Sequence, residues 1–213
     1  MTIWLTRIQP NLRNPRTRAD LHDFVGLHRT VMSLFPERLG EAPRRQAGAL
    51  FRVDSGPAGD QLLVQSSLRP EATRLPADYG TVRTTELTAL LAALSNGMAV
   101  HYRLVANTSK RLAKDNERYR RGQLVALKGG EVLEWWQRRS AQHGLALAST
   151  EASAVTTPRS KDRTAIRHAR TRFQGVATVS DVELLREAVL TGVGRARAYG
   201  CGLLSVVPVK KRA

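Results

Sequence analysis

Cysteine, aromatic residues and acidic residues are all scarce in this chain. Its single cysteine, Cys201, excludes an internal disulfide framework and any multi-cysteine zinc site. Aromatic residues make up 5% of the chain, and none forms the lysine/arginine-glycine-aromatic string with which RNA-recognition motifs stack bases. No stretch approaches the ~18 consecutive apolar residues of a transmembrane helix, so no membrane partner is expected. Residues 1–7 lack the charged-then-apolar order of a signal peptide, and a reducing cytoplasm is the expected location. Also missing are a P-loop, a His-Glu-x-x-His motif, an acidic cluster for paired magnesium ions, and helix-turn-helix or zinc-finger spacing. The expectation is therefore a protein without metal or cofactor.

Basic residues are abundant instead. Lysine and arginine number 34 against 18 aspartates and glutamates, a formal net charge of +16 over 213 residues. Such an excess repels itself and points to a polyanionic partner. An apolar content of 42% is that of a folded protein, and the length allows one large domain or two small ones.

The hydrophobic pattern predicts a strand over residues 2–8. A helix should open at Asp20, bury Leu21, Phe24, Leu27, Val31, Leu34 and Phe35, and stop at Pro36. Residues 38–47 read as a polar connection. Two apolar runs, 49–53 and 61–66, form a hairpin with a long turn. A short helix is expected near 71–79, and 82–94 fits strand or helix equally. In the second half, 99–106 reads as a strand and 107–121 as a basic loop. Residues 129–143 read as a helix with Val132, Leu133, Trp135 and Trp136 inward; 145–155 and 165–179 read as strands. Ser180 and Glu183 suggest a capping box before a helix carrying Val182, Leu185 and Val189, and 203–207 as the last strand. The second half thus reads β-α-β-β-α-β and the first is compatible with it. That is an α+β fold of two tandem ferredoxin-like domains, expected over 1–94 and 97–213.

The charge gathers in three places. Arg103, Lys110, Arg111, Lys114, Arg118, Arg120 and Arg121 face only Asp115 and Glu117. Arg159, Lys161, Arg163, Arg167, Arg170 and Arg172 face only Asp162, and alternation there would line several guanidinium groups along one hairpin face. The tail, residues 192–205, sets Arg195 and Arg197 among Gly192, Gly194, Gly200 and Gly202. Glycines let a ligand approach backbone amides, and arginine forks suit phosphate oxygens. A helix cap and a close strand crossing would also explain those glycines. Charge without stacking aromatics favours structured RNA, recognised by shape and phosphates.

Metal-free RNA cleavage needs a proton carrier near the 2′-hydroxyl, and histidine suits it. His22 lies on a polar helix side, His101 in a strand, His143 at a helix end and His168 in the basic hairpin. His28 differs, sitting beside Phe24 and Val31 at the margin of an apolar face with Arg29 next to it. The residues alone leave it open whether His28 is catalytic or a boundary histidine.

The segments Leu27-His28-Arg29-Thr30, Leu34-Phe35-Pro36, Tyr102–Asn107 with Lys110-Arg111, and the glycine-rich tail follow one another in an order that resembles the CasE family. These are CRISPR RNA-processing endoribonucleases of type I-E systems, RAMP proteins with tandem ferredoxin-like domains. The resemblance implies metal-independent cleavage of a repeat hairpin to a 2′,3′-cyclic phosphate, with the product retained in a Cascade complex alongside other subunits. It implies His28 as base or acid, Arg29 at the scissile phosphate, and the basic hairpin as an arm entering the RNA groove. The glycine-rich tail would hold RNA far from the proton chemistry. Val25 stands where compared members carry a tyrosine, and Ser33 where some carry a basic residue. A non-catalytic hairpin-binding subunit on the same fold is the alternative.

Overall fold

The computed structural model describes residues 2–115, 120–155 and 169–210. The chain begins with β1 (Trp4–Pro10), then α1 (Pro15–Leu21), α2 (Phe24–Ser33) and the short α3 (Pro43–Gln46). The hairpin β2 (Leu50–Gly56) and β3 (Gly59–Ser66) follows, and β4 (Gly80–Glu86) completes an antiparallel sheet of order β2-β3-β1-β4. Helix α4 (Thr88–Ala92) leads to β5 (Ala99–Asn107) and a small hairpin of β6 (Ser109–Arg111) and β7 (Leu124–Ala126). Then come α5 (Gly130–Gln142), β8 (Leu145–Leu147), β9 (Glu151–Ala154), β10 (Arg170–Val179), α6 (Val182–Thr191) and β11 (Leu204–Pro208). The second sheet runs β11-β5-β10-β8, with β9 also on β10. Both sheets carry the ferredoxin strand order, and the chain has the tandem ferredoxin-like fold.

Several local expectations change. Asp20 opens no helix. Asn14 caps α1 and Asp23 caps α2, each through its side-chain oxygen, because a carboxylate or amide there satisfies otherwise unpaired first-turn amides. Asp20 is buried and accepts hydrogen bonds from Thr30 Oγ1 (2.6 Å) and Tyr79 OH (3.1 Å), which ties α1 to α2 and to the chain entering β4. The β2–β3 turn is tight because pairing continues to Gly56 opposite Gly59. The expected helix near 71–79 is a single 3-10 turn, Ala72–Arg74, and 82–94 divides into β4 and α4. Pro43 at a helix start turns part of the expected connection 38–47 into α3. The expected basic loop opens as β6, and the strand expected over 145–155 divides into β8 and β9. Leu133 is 42% exposed and not inward. Asp181, not Ser180, caps α6, accepting from the amides of Glu183 and Leu184.

Each sheet buries one face under its helices. Ile8, Phe51, Leu62 and Val64 meet Phe24, Leu27 and Val31 in the first core. Trp135 and Trp136 stack with Phe173 in the second, and Cys201 is buried as a small packing residue. Ile3, Leu91 and Leu94 join that second core, so the ends of the first unit are sewn into the second.

Polar side chains lock the halves together. Arg52, 2% exposed on β2, pairs with Asp54 (2.8 and 2.9 Å) and donates from Nη1 to the carbonyls of Arg103 (3.2 Å) and Leu203 (3.0 Å). Gln65 donates to Val189 O (2.6 Å). Arg186 of α6 donates to Leu91, Ala92 and Leu94 carbonyls at the end of α4. A buried guanidinium is tolerated only with such partners.

Candidate active site

Helix α2 buries Phe24, Leu27, Thr30 and Val31 against the first sheet. That leaves His28 half-buried at the edge of the face. Its ring stacks on Phe51 of β2, and its buried Nδ1 has no hydrogen-bond partner among the described residues. Burial, and next the charge of Arg44, hold its pKa below the usual imidazole value, so the ring favours its neutral, proton-accepting form.

Beside this position lies a cluster of three arginines with no opposing acid: the charge of Arg44 acts on His28, and those of Arg197 and Arg45 act on Arg44. Arg44, half-buried on α3, donates to Ala49 O (3.1 Å). Its pKa is lowered by burial and then by Arg197 and Arg45. That of Arg197 is lowered by burial and then by Arg45. None of the three makes an ion pair with a carboxylate among the described residues. Like charges held together at a cost, beside a neutral histidine, form a site suited to an anion.

The glycine-rich tail builds part of this site, contrary to its expected distance from the proton chemistry. Its 3-10 turn, Arg197–Tyr199, packs on α2 and β2, with Tyr199 half-buried against the first core. Gly200 (φ +71°) is buried with Phe24, Phe51 and Arg170 around it; a Cβ there would sit 3.4 Å from each. Gly192 (φ +81°) lies so close to Leu50 that a Cβ would meet its side chain at 2.8 Å. Gly202 is buried too, its amide donating to Val105 O and its carbonyl accepting from Val193 N. These glycines allow a close crossing of chain, while Gly194 is partly exposed. Arg197 enters the His28 cluster, and Arg195 is exposed beside it.

The other sequence-predicted residues divide. Arg29 is exposed on α2, next to His28. Ser33 Oγ donates back to Thr30 O (2.8 Å), so its hydroxyl is engaged with its own helix. Arg170 is 5% exposed, its guanidinium over the Phe24 ring (4.2 Å) and donating to Gly200 O (3.3 Å). It latches the two halves and is not free to enter an RNA groove. Arg172 is half-buried. Lys110 is ion-paired with Glu131 and Arg111 donates to Gly122 O, both partners in the second half, and Lys114 is exposed. Arg159, Lys161, Arg163, Arg167 and His168 fall outside the described residues.

Residues 3–208 match the family described as CRISPR associated protein. The chain belongs to that family. It is 28% identical over 200 residues to the CRISPR system Cascade subunit CasE of Escherichia coli (strain K12), covering 90% of this chain and 96% of the relative. It is 29% identical over 222 residues to the CRISPR-associated endoribonuclease Cse3 of Thermus thermophilus, covering 97% and 100%. The solved structure of Thermus thermophilus Cse3 bound to an RNA representing a pre-cleavage complex aligns with a TM-score of 0.81 at 28% identity, over 98% of this chain and 100% of that one.

Within the family fold, Arg44, Arg45 and Phe51 are the site residues that sequence reasoning passed over. Pro43 just before two arginines was the available signal, since proline favours the first helical position. Phe51 carried none, being one apolar strand residue among several.

Proposed function

We propose that this chain is a metal-independent endoribonuclease that binds the hairpin of CRISPR repeat RNA, cuts it by 2′-hydroxyl attack and stays bound as a Cascade subunit. The observation that carries the reading is the neutral, half-buried His28 among three acid-free arginines, in a chain of this family. His28 takes the proton of the 2′-hydroxyl, and the oxygen bonds to the adjacent phosphorus. The bond from phosphorus to the 5′-oxygen breaks, leaving a 2′,3′-cyclic phosphate. The departing oxygen takes up a proton, and His28 gives its own back to restore the neutral ring. Arg44 and Arg197 stabilise the charge gathering on the non-bridging oxygens, where fixed donors act most strongly. Arg29 contacts the phosphate backbone from the exposed side of α2.

Residues 1–94 act as the catalytic-histidine domain and 97–213 as the RNA-holding domain, with the arginines and lysine of 159–167 on the stem. The relatives' names, a Cascade subunit and an endoribonuclease, support retention in such a complex, and a cytoplasmic location follows from that role. The test is incubation of a labelled repeat hairpin with EDTA. A discrete product ending in a cyclic phosphate, lost in His28→Ala with hairpin binding retained, is expected. Undiminished cleavage by His28→Ala removes the mechanism. Binding without cleavage by the unsubstituted protein leaves a hairpin-binding assembly subunit.

A further inference from the structure

The first sheet has a second face, turned away from α2 and His28. Side chains directly paired across antiparallel strands point to the same side. Arg7 on β1 is opposite Arg83 on β4 and opposite Leu63 on β3, and Leu63 is opposite Arg52 on β2. One row across the sheet therefore reads Arg83, Arg7, Leu63, Arg52. Its neighbours along β1, Thr6 and Ile8, are buried on the core side, whereas Arg7 and Arg83 are exposed.

Two like charges directly opposite in a sheet destabilise it. Neither Arg7 nor Arg83 has an ion pair or hydrogen bond among the described residues to relieve the repulsion. The row on one side, Thr85, Leu5, Gln65 and Leu50, is uncharged. Across the hairpin on the other side lies Asp54, already held by Arg52 and, at 3.6 Å, by Arg103. At the β2 end of the row the buried Arg52 is neutralised by Asp54 and turned into the second half. Arg52 donates to the carbonyl of Arg103, and the charges of Arg103 and Arg172 act on it. Arg172 stands two residues beyond Arg170 on the same side of β10, and Arg170 reaches Gly200 beside α2. Glu151, hydrogen-bonded to Gln174 (2.8 Å), is the acid facing this part of the second sheet.

We propose that the open β1–β4 side of this face, through Arg7 and Arg83, binds the single-stranded RNA that flanks the hairpin. The inference rests on the hairpin-binding reading above, because the hairpin delivers its flank at high effective concentration. A row one residue wide suits one phosphate backbone better than a duplex. Half-buried Leu5 and Leu63 beside it offer apolar surface to base faces. Arg52, at the β2 end of the row, is buried and engaged, so the cations open to RNA are Arg7 and Arg83 on β1 and β4.

The test measures affinity in the full chain carrying His28→Ala, so that RNA stays intact. The probes are the hairpin alone and the hairpin extended by single-stranded RNA on its 5′ or its 3′ side, across a salt series. One extension should bind more tightly than the bare hairpin. Adding Arg7→Ala with Arg83→Ala should remove that gain and lower its log–log salt slope by about 1.4, at about 0.7 per phosphate on a single strand. Hairpin-alone affinity should not change. An equal loss on the bare hairpin, or no loss on either probe, overturns the proposal. So does weakened assembly with other Cascade subunits at unchanged RNA affinities, which would make the face a protein contact. Failure of the unsubstituted chain to bind the hairpin would instead overturn the functional reading itself.

Discussion

The imidazole of His28 and the ring of Phe51 stack with centroids 6.2 Å apart and planes 27° from parallel. Phe51 is followed on β2 by Arg52, whose guanidinium reaches the carbonyls of Arg103 and Leu203 in the second half. The residue supporting the proposed base thus adjoins the one joining the two domains. One strand therefore carries on its two faces the ring against His28 and the clasp to the second half.

Cleavage should depend on pH through His28. In the free protein its pKa lies below the ordinary value of about 6.5, so kcat/KM should rise with pH through that lower value and level off above it. Bound phosphate adds negative charge that favours imidazolium and offsets the arginine repulsion. The limb for single-turnover cleavage at saturating protein should therefore lie at higher pH than the limb for kcat/KM. The unfolded chain binds this proton more readily than the folded one. The histidine's contribution to stability is accordingly present above about pH 6.5 and lost as pH falls through the folded value. A single-turnover limb at or below the kcat/KM limb would count against the arrangement.

Arg44→Ala and Arg197→Ala should each slow single-turnover cleavage at saturating protein by about 10²-fold or more, the scale of losing one fixed donor to a developing oxyanion. Arg44→Ala should also raise the His28 pKa in the free chain, read by NMR titration of the imidazole. Arg195→Ala, at an exposed position beside them, should weaken hairpin binding while sparing the rate at saturation. A pure binding defect in Arg44→Ala would sink its catalytic assignment.

Arg52→Ala should destabilise the protein by about 3–5 kcal/mol, because it leaves the partly buried Asp54 without its main partner. Arg52→Met with Asp54→Leu should recover much of this, since replacing both charges leaves neither unpaired. Chemical denaturation with a common m-value would measure both. Near-normal stability of Arg52→Ala would show that the inter-domain clasp contributes little.

The periodic elements were legible because their pattern is local. Phe24, Leu27 and Val31 fall on one helix face at any tertiary placement, and β5 and β10 read as strands from their own residues. Capping was less legible. Asp20 and Asp23 have the same chemistry three residues apart, and only the packing of Thr30 and Tyr79 onto Asp20 decides which one caps. The second crossover of the first domain, reduced to the 3-10 turn Ala72–Arg74, likewise depends on what the sheet leaves room for.

The sequence by itself pointed to a polyanionic partner and the tandem fold order, since net charge and periodicity need no coordinates, and through the family resemblance it singled out His28 among five histidines. Tertiary structure alone decided which arginines gather beside that histidine. Arg44 and Arg197 are separated by most of the chain, yet their charges act on each other because the glycine-rich turn packs on α2 and β2. Arg170, one of a basic run, is withdrawn from the surface by Phe24 and Gly200. Charge is written in the sequence, but its exposure and its neighbours depend on contacts between distant segments, which only the folded chain fixes.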